Sequence, residues 1–479
     1  MPLRFLLPAV WIACFALQAS ATPGEPPSLI HYPTIQAAID ANPGRLIHVP
    51  PGEYRITAPI VLSNEGSGLF GEGTIIQTND DADIIQVRGA AHIRIEGLTL
   101  LREQPKFFKT ARAIWAEHSQ FLQVRNVTVR GNRASPCTVL LAECDNATIE
   151  GCTIIDYKTI TIDDRMNNDL YRYAFRAIDG HGIILRGCIA GRVLRNRIIE
   201  NELRPTEAIM KKYDLGKIVN RATELGRLAS YGVKDNFVFI WHQGAGIGVH
   251  GANRTAFTLV DGNYVENAAQ GMDLHSDFMI VTNNQVTNSY MGMKVFHGGR
   301  DVVISNNIFH QCGKYGILLR PGSESWEASA PVGAQPARED NVERGFVIAN
   351  NIITDMGYGD ENWRLQNDDP TETSPVPIKI GTGPLPANPR LSDIIIQGNL
   401  IYDHGRDKIL VDGKPQVVPP RYKWAIWFDD EWRAENVRMT GNIFHPAKRA
   451  CATCRFNPES PCHEPAPLIA KAICTSQRS

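Results

Sequence analysis

Five short segments of this chain share one pattern and set ionisable side chains at equivalent positions. They are Gly182-Ile-Ile-Leu-Arg186, Gly246-Ile-Gly-Val-His250, Gly271-Met-Asp-Leu-His275, Gly292-Met-Lys-Val-Phe296 and Gly316-Ile-Leu-Leu-Arg320. In a strand, successive residues alternate faces, so Met272, Leu274, Met293, Val295, Ile317 and Leu319 turn inward. One outward column then reads Gly248, Asp273, Lys294, Leu318, and the next reads Arg186, His250, His275, Phe296, Arg320. His297, Asp277 and Arg300 lie just past the strand ends. Toward the N-terminus the same columns hold Trp115, Leu140 and Ile184, which carry no reactive group.

Such a face suits removal of a weakly acidic proton beside a carboxylate, as at C5 of a uronic acid. The carboxylate must be neutralised by Arg, Lys or a metal, and a base must reach the proton. Neutral His works near pH 7, as does a Lys whose pKa falls among other cations. On this reading His275 or Lys294 is the base, Arg320 and Lys294 neutralise the carboxylate, and Asp273 orients His275 or Lys294. His250, His297, Arg300, Arg186 and Trp427 would bind the sugars. If the carbanion expels the C4 oxygen the result is lyase cleavage; if the proton returns to the opposite face it is epimerisation. Calcium could share in the neutralisation, but no cage of ligands is legible and no residue is assigned to a metal. The plainer reading makes Lys294–Asp273 a surface ion pair of ~0–1 kcal/mol and the histidines mere hydrogen-bond caps.

Two rivals come from other residues. Asp163-Asp164 and Asp429-Asp430-Glu431, the latter between Trp427 and Trp432, supply the paired carboxylates of a glycoside hydrolase. A carbohydrate-binding protein without catalysis would need only the aromatic and basic groups. His181, in Asp179-Gly-His-Gly182, reads as a structural turn.

These strands need a scaffold that repeats. A motif of β-prone residues, then Gly-Asn or Asn-Asn, then an apolar pair recurs at Asn263, Asn284, Asn307, Asn351, Asn399 and Asn442. The first two intervals are 21 and 23 residues, room for three short strands and three turns. The later intervals of 44, 48 and 43 fit two coils, or one coil with an inserted loop. An Asn at each bend can adopt the left-handed conformation and stack its amide on the next. The expected fold is all-β: a single-stranded, right-handed parallel β-helix over residues 22–445. Thr34-Ile-Gln-Ala-Ala-Ile-Asp40 places Ile35 and Ile39 on one helical face, as a cap.

Arg4, the apolar run Phe5–Leu17 and Ala19-Ser20-Ala21 read as an export signal over residues 1–21, too short to span a bilayer. The expected location is secreted or periplasmic, with no membrane span. The net charge of −2 argues against general nucleic-acid binding and leaves an acidic polysaccharide as the expected partner. Residues 205–231 have helical spacing and read as an insertion beside the groove. Cys451, Cys454, Cys462 and Cys474 make a Cys-rich tail over 446–479, read as disulfides with zinc as the minority alternative. Cys137, Cys144, Cys152, Cys188 and Cys312 fall within coils, where small buried thiols pack well.

Leu46-Ile-His-Val-Pro-Pro-Gly52-Glu-Tyr54 after the cap resembles the pectate-lyase-like superfamily, in which an amphipathic helix closes the first coil before a V-P-P-G-x-Y turn. Gly271-Met-Asp273-Leu-His275-Ser-Asp277 resembles the G-I-D-P-H-D strand of mannuronan C5-epimerases, with Leu274 for Pro and Ser276 inserted. That resemblance implies His275 as the base. Lys294 and Arg320 resemble the base-and-arginine pair of chondroitinase B-type and alginate lyases, with Pro321 in place of a motif His.

Overall fold

The computed structural model describes residues 25–444 with breaks, together with Cys454–Arg455; the longest breaks are 165–173, 214–243, 364–373 and 382–388. Among the described residues the chain winds through three parallel sheets of twelve strands each, and every coil gives one strand to each sheet. The helix Ile35–Ala41 closes the N-terminal end. Thr34 accepts from the Ala37 amide at 3.1 Å, and Ile35 and Ile39 are buried, as the periodicity predicts.

Inward residues of successive coils stack into a continuous column of Val, Ile, Leu and Met. Each buries its side chain against the coil above and below, so a single long core replaces separate domains. The intervals of 44, 48 and 43 residues are one coil with an inserted loop, because Asn307, Asn351, Asn399 and Asn442 are direct neighbours. From Asn196 to Asn442 each amide donates from Nδ2 to the Oδ1 of the next at 2.9–3.0 Å. The left-handed conformation belongs to the residue before each ladder Asn: Arg195, Asn283, Asn306 and Asn350, or Gly262, Gly398 and Gly441. The bend thus divides its work, correcting the expectation that one Asn both turns and stacks.

The third sheet positions the candidate residues. The registers Gly248↔Asp273, Asp273↔Lys294 and Lys294↔Leu318 are those of the sequence column, and Trp115, Leu140 and Ile184 continue it backward. Short strands of the first two sheets mostly alternate between buried and partly open residues, whereas Gln270–Leu274 and Tyr315–Leu319 are buried at every position. The outer face is therefore enclosed along these two strands, while Lys294, on the strand between them, stays partly open.

Strict alternation fails at the strand starts. A Cβ on Gly246 would lie 2.5 Å from Val265 Cγ1, and one on Gly292 would lie 2.5 Å from Phe309 Cδ1. These glycines face the core, which turns the residue before each of them outward; Tyr315, before Gly316, joins Leu318 in an outer cluster.

The signal region 1–21 lies outside the described residues. Of the insertion, Glu207–Lys212 forms a helix capped by Thr206; most of the rest is not described. The tail contributes Cys454–Arg455 as a further strand in register with Ile426 and Trp427, so the third sheet runs past the expected boundary at 445. The other tail cysteines are not described, and the five coil cysteines are free and buried.

Candidate functional site

Asp273 is the centre of the site, and its neighbours follow from the coil spacing of about 4.8 Å. His275, two residues along on the same strand, places Nε2 2.8 Å from Asp273 Oδ1. Lys294, one coil on, places Nζ 3.1 Å from Oδ2. His250, one coil back, places Nε2 3.7 Å from Oδ2, an ion-pair separation rather than a hydrogen bond. Gly248 makes that approach available, since a Cβ there would lie 2.9 Å from His250 Nε2. The rings of His250 and His275 stack with centroids 5.0 Å apart.

Three aromatic rings complete the enclosure. His297, in a left-handed turn (φ 63°), sets its ring edge-on to His275 at 4.4 Å. The Lys294 ammonium lies 4.7 Å from the Phe296 ring centre. His181 meets His250 edge-on at 5.7 Å, and its Nδ1 accepts from the Ala245 amide at 3.0 Å. In the neutral ring the proton is therefore on Nε2. His181 was read as a structural turn, yet it belongs to this cluster. Extending the strand alignment one residue ahead of Gly182 would have found it.

Burial sets the protonation of the group. Asp273 and His275 are both 7% exposed. Burial alone would raise the Asp273 carboxyl, but the Lys294 ammonium and His275 prevail and hold it well below the usual carboxylate range. His275 is pushed down by burial, against the pull of Asp273. Burial also lowers His181 and His297, each to about 3. The centre is an ionised carboxylate beside the Lys294 side chain, with neutral imidazoles at His275, His181 and His297. Because Asp273 is ionised and can only accept, the proton of His275 sits on Nε2 and Nδ1 keeps the lone pair.

The other sequence candidates lie farther out. Arg300 is held by Asp277, Nη2 to Oδ2 at 2.5 Å, and by Asp340 at 3.6 Å, contacts that fasten the turn after His297. Arg186 is exposed and in register with His250. Arg320 is half-buried, one coil beyond Phe296, its amide donating to the Val295 carbonyl at 3.1 Å. Trp427 continues the outward column three coils past Lys294, through Leu318 and Lys379, with the Lys379 ammonium 4.5 Å from its ring centre. Asp163 and Asp164 sit on the hairpin Thr159–Asp164 with Ala174–Asp179, and Asp429-Asp430-Glu431 and Trp432 lie outside the described residues.

One nitrogen from each of His250 and His275 and an oxygen of Asp273 lie within 4.8 Å of one another. Two imidazoles and one carboxylate suit a late first-row ion, and calcium takes six to eight oxygens. In this geometry the Lys294 ammonium already sits on the Asp273 carboxylate, the position a cation would take.

Residues 230–361 match the family model described as the right handed beta helix region. Among solved structures, the chain is similar to the Agl-KA catalytic domain at 12% identity, covering 91% of this chain and 69% of that one, with a TM-score of 0.49. It is similar to the A-module of the Azotobacter vinelandii mannuronan C-5 epimerase AlgE4 at 13% identity, covering 88% and 94%, with a TM-score of 0.46. A PL6 alginate lyase solved in complex with a trisaccharide is similar at 9% identity, covering 85% and 82%, with a TM-score of 0.44. No curated protein matches the sequence. The chain is a right-handed parallel β-helix protein. No helix among the described residues is long and apolar enough to cross a membrane.

Proposed function

We propose that this β-helix is an exported enzyme that abstracts the C5 proton of a uronic-acid residue within an acidic polysaccharide. The observation that carries the reading is Asp273 bound on one oxygen by His275 and on the other by Lys294. His275, neutral and fixed through its Nε2–H, takes the proton on Nδ1. Lys294 turns its charge to the substrate carboxylate, which stabilises the negative charge that develops as the C5–H bond breaks. His250, whose side chain is 24% exposed against 9% for His275, is the more open of the two rings. As the imidazolium it would pass its proton to the departing C4 oxygen or to the opposite face of C5, ending as neutral imidazole. Arg320 and Trp427 would hold neighbouring sugars along the groove.

A panel of uronic-acid polymers, followed by ultraviolet absorbance of unsaturated products, tests cleavage. Absence of that signal with exchange of the C5 proton into solvent, read by NMR, assigns epimerisation. If neither signal appears on any polymer, the reading fails.

A further inference from the structure

Glu343 is a buried carboxyl that the proposed chemistry does not use. It is 1% exposed and sits at the end of the loop that follows Arg320. Its Oε1 accepts from the Gly298 amide at 2.9 Å and from the Ser325 hydroxyl at 3.3 Å, while Oε2 has no hydrogen-bond partner among the described residues. Ser325 Oγ in turn accepts from the Gly322 amide at 3.3 Å. Two further contacts tie the same loop to the same turn. Asn341 Nδ2 donates to the His297 carbonyl at 3.1 Å, and Gly322 lies so close to the His297 imidazole that a Cβ there would overlap the ring.

We propose that Glu343 is a positioning residue: through the Gly298 amide and the Ser325 hydroxyl it clamps the loop over the His297 turn and fixes the His297 ring against His275. The inference rests on reading the Asp273 cluster as the active centre. Its physical basis is that a turn held only by its own backbone would let the ring swing, whereas three side chains and a glycine contact from one loop leave it a single position. The nearby charges are engaged elsewhere, Arg344 with Asp340 and Arg300 with Asp277 and Asp340, so none compensates a charge on Glu343. Accordingly burial pushes its carboxyl up to about 8, against the pull of the Gly298 amide and Ser325.

The clamp therefore works in the protonated form. The folded protein holds a proton that the unfolded chain releases near 4.5. Stability contributed by that proton is full below 4.5, falls as pH rises through the interval to about 8, and levels beyond it.

Imidazole NMR of His-labelled protein reads the clamp without any substrate. In Glu343→Ala the His297 pKa should climb from about 3 toward 6.5, by at least about one unit, whereas Glu343→Gln should keep it low and remove the loss of melting temperature between pH 5 and 8. Ser325→Ala should shift His297 the same way by less, and it covers the case in which Glu343→Ala fails to fold. Unchanged His297 titration in every variant that folds, Ser325→Ala included, overturns the proposal. A shifted His297 in a protein that turns over no uronate polymer would uphold the clamp and defeat only the chemistry proposed above.

Discussion

Two halves of one outward column in the third sheet have the same backbone and opposite character. Toward the N-terminus, Leu140 and Ile184 close on Cys137 and Ala142, with Trp115 packed against them, as an apolar patch outside the main core. Toward the C-terminus, Asp273 and Lys294 occupy the equivalent positions and gather four imidazoles around them. The ladder fixes neighbours at coil spacing, so side-chain type alone decides what each half can do. Apolar neighbours lose little by being enclosed. Charges enclosed in the same way must meet a partner at once, because an unpaired one costs several kcal/mol. Asp273 and Lys294 meet that requirement, and the His275 imidazole binds the other carboxylate oxygen.

The comparison breaks most sharply at Asp273. Asp273→Ala should strand a mostly buried ammonium and cost about 3–5 kcal/mol of stability, read by chemical denaturation. Loss of the oriented base should lower turnover by about 10²–10⁴-fold. A variant with stability and turnover near those of the wild type would show that the carboxylate organises nothing. In the apolar half, Leu140→Ala should cost about 2–5 kcal/mol through its cavity while leaving turnover on a responsive polymer unchanged; a matching fall in turnover would mean that the patch belongs to the site.

Acid separates the halves next, because the imidazoles gather around the charged one. His181 and His297 stay neutral in the fold down to about 3, while the unfolded chain takes up protons near 6.5. Their contribution to stability is full above 6.5 and drains away as pH falls toward 3. His181→Gln should flatten the decline of melting temperature across that window; an unaltered slope would place the acid sensitivity elsewhere. The smallest effect is expected of Gly248→Ala. The new methyl would lie 2.9 Å from His250 Nε2 and 3.2 Å from Ile184 Cγ1, both side-chain atoms that can give way, so stability should fall by only about 1 kcal/mol. Turnover should fall several-fold as the ring is pushed off Asp273, and full activity would remove His250 from the mechanism.

The coil pattern and most of the site were legible because stacking converts sequence spacing into contact. Once Gly271-Met-Asp-Leu-His275 and Gly292-Met-Lys-Val-Phe296 are aligned, Asp273 must lie beside Lys294, and the ladder obeys. His181 escaped because simple alternation assigns it inward, whereas the core-facing glycine after it turns it out. The partners of Arg300 were not legible, because its carboxylates come from Asp277, one coil back, and Asp340, in an inserted loop. Insertions carry no period, so their contacts leave no trace in the repeat.

Sequence alone determined the parallel β-helix, its helical cap, the stacked Asn amides and the outward column, all consequences of residues recurring at a fixed interval. Tertiary structure decided how that column became a chemical centre. Burial made His275, His181 and His297 neutral, while the Lys294 ammonium and His275 kept Asp273 an ionised hub against that same burial. The loop bearing Ser325, Asn341 and Glu343 came to rest on the His297 turn. Protonation depends on the local dielectric and on charges brought from elsewhere in the chain, and neither quantity exists until the coils have stacked and the loops have closed over them.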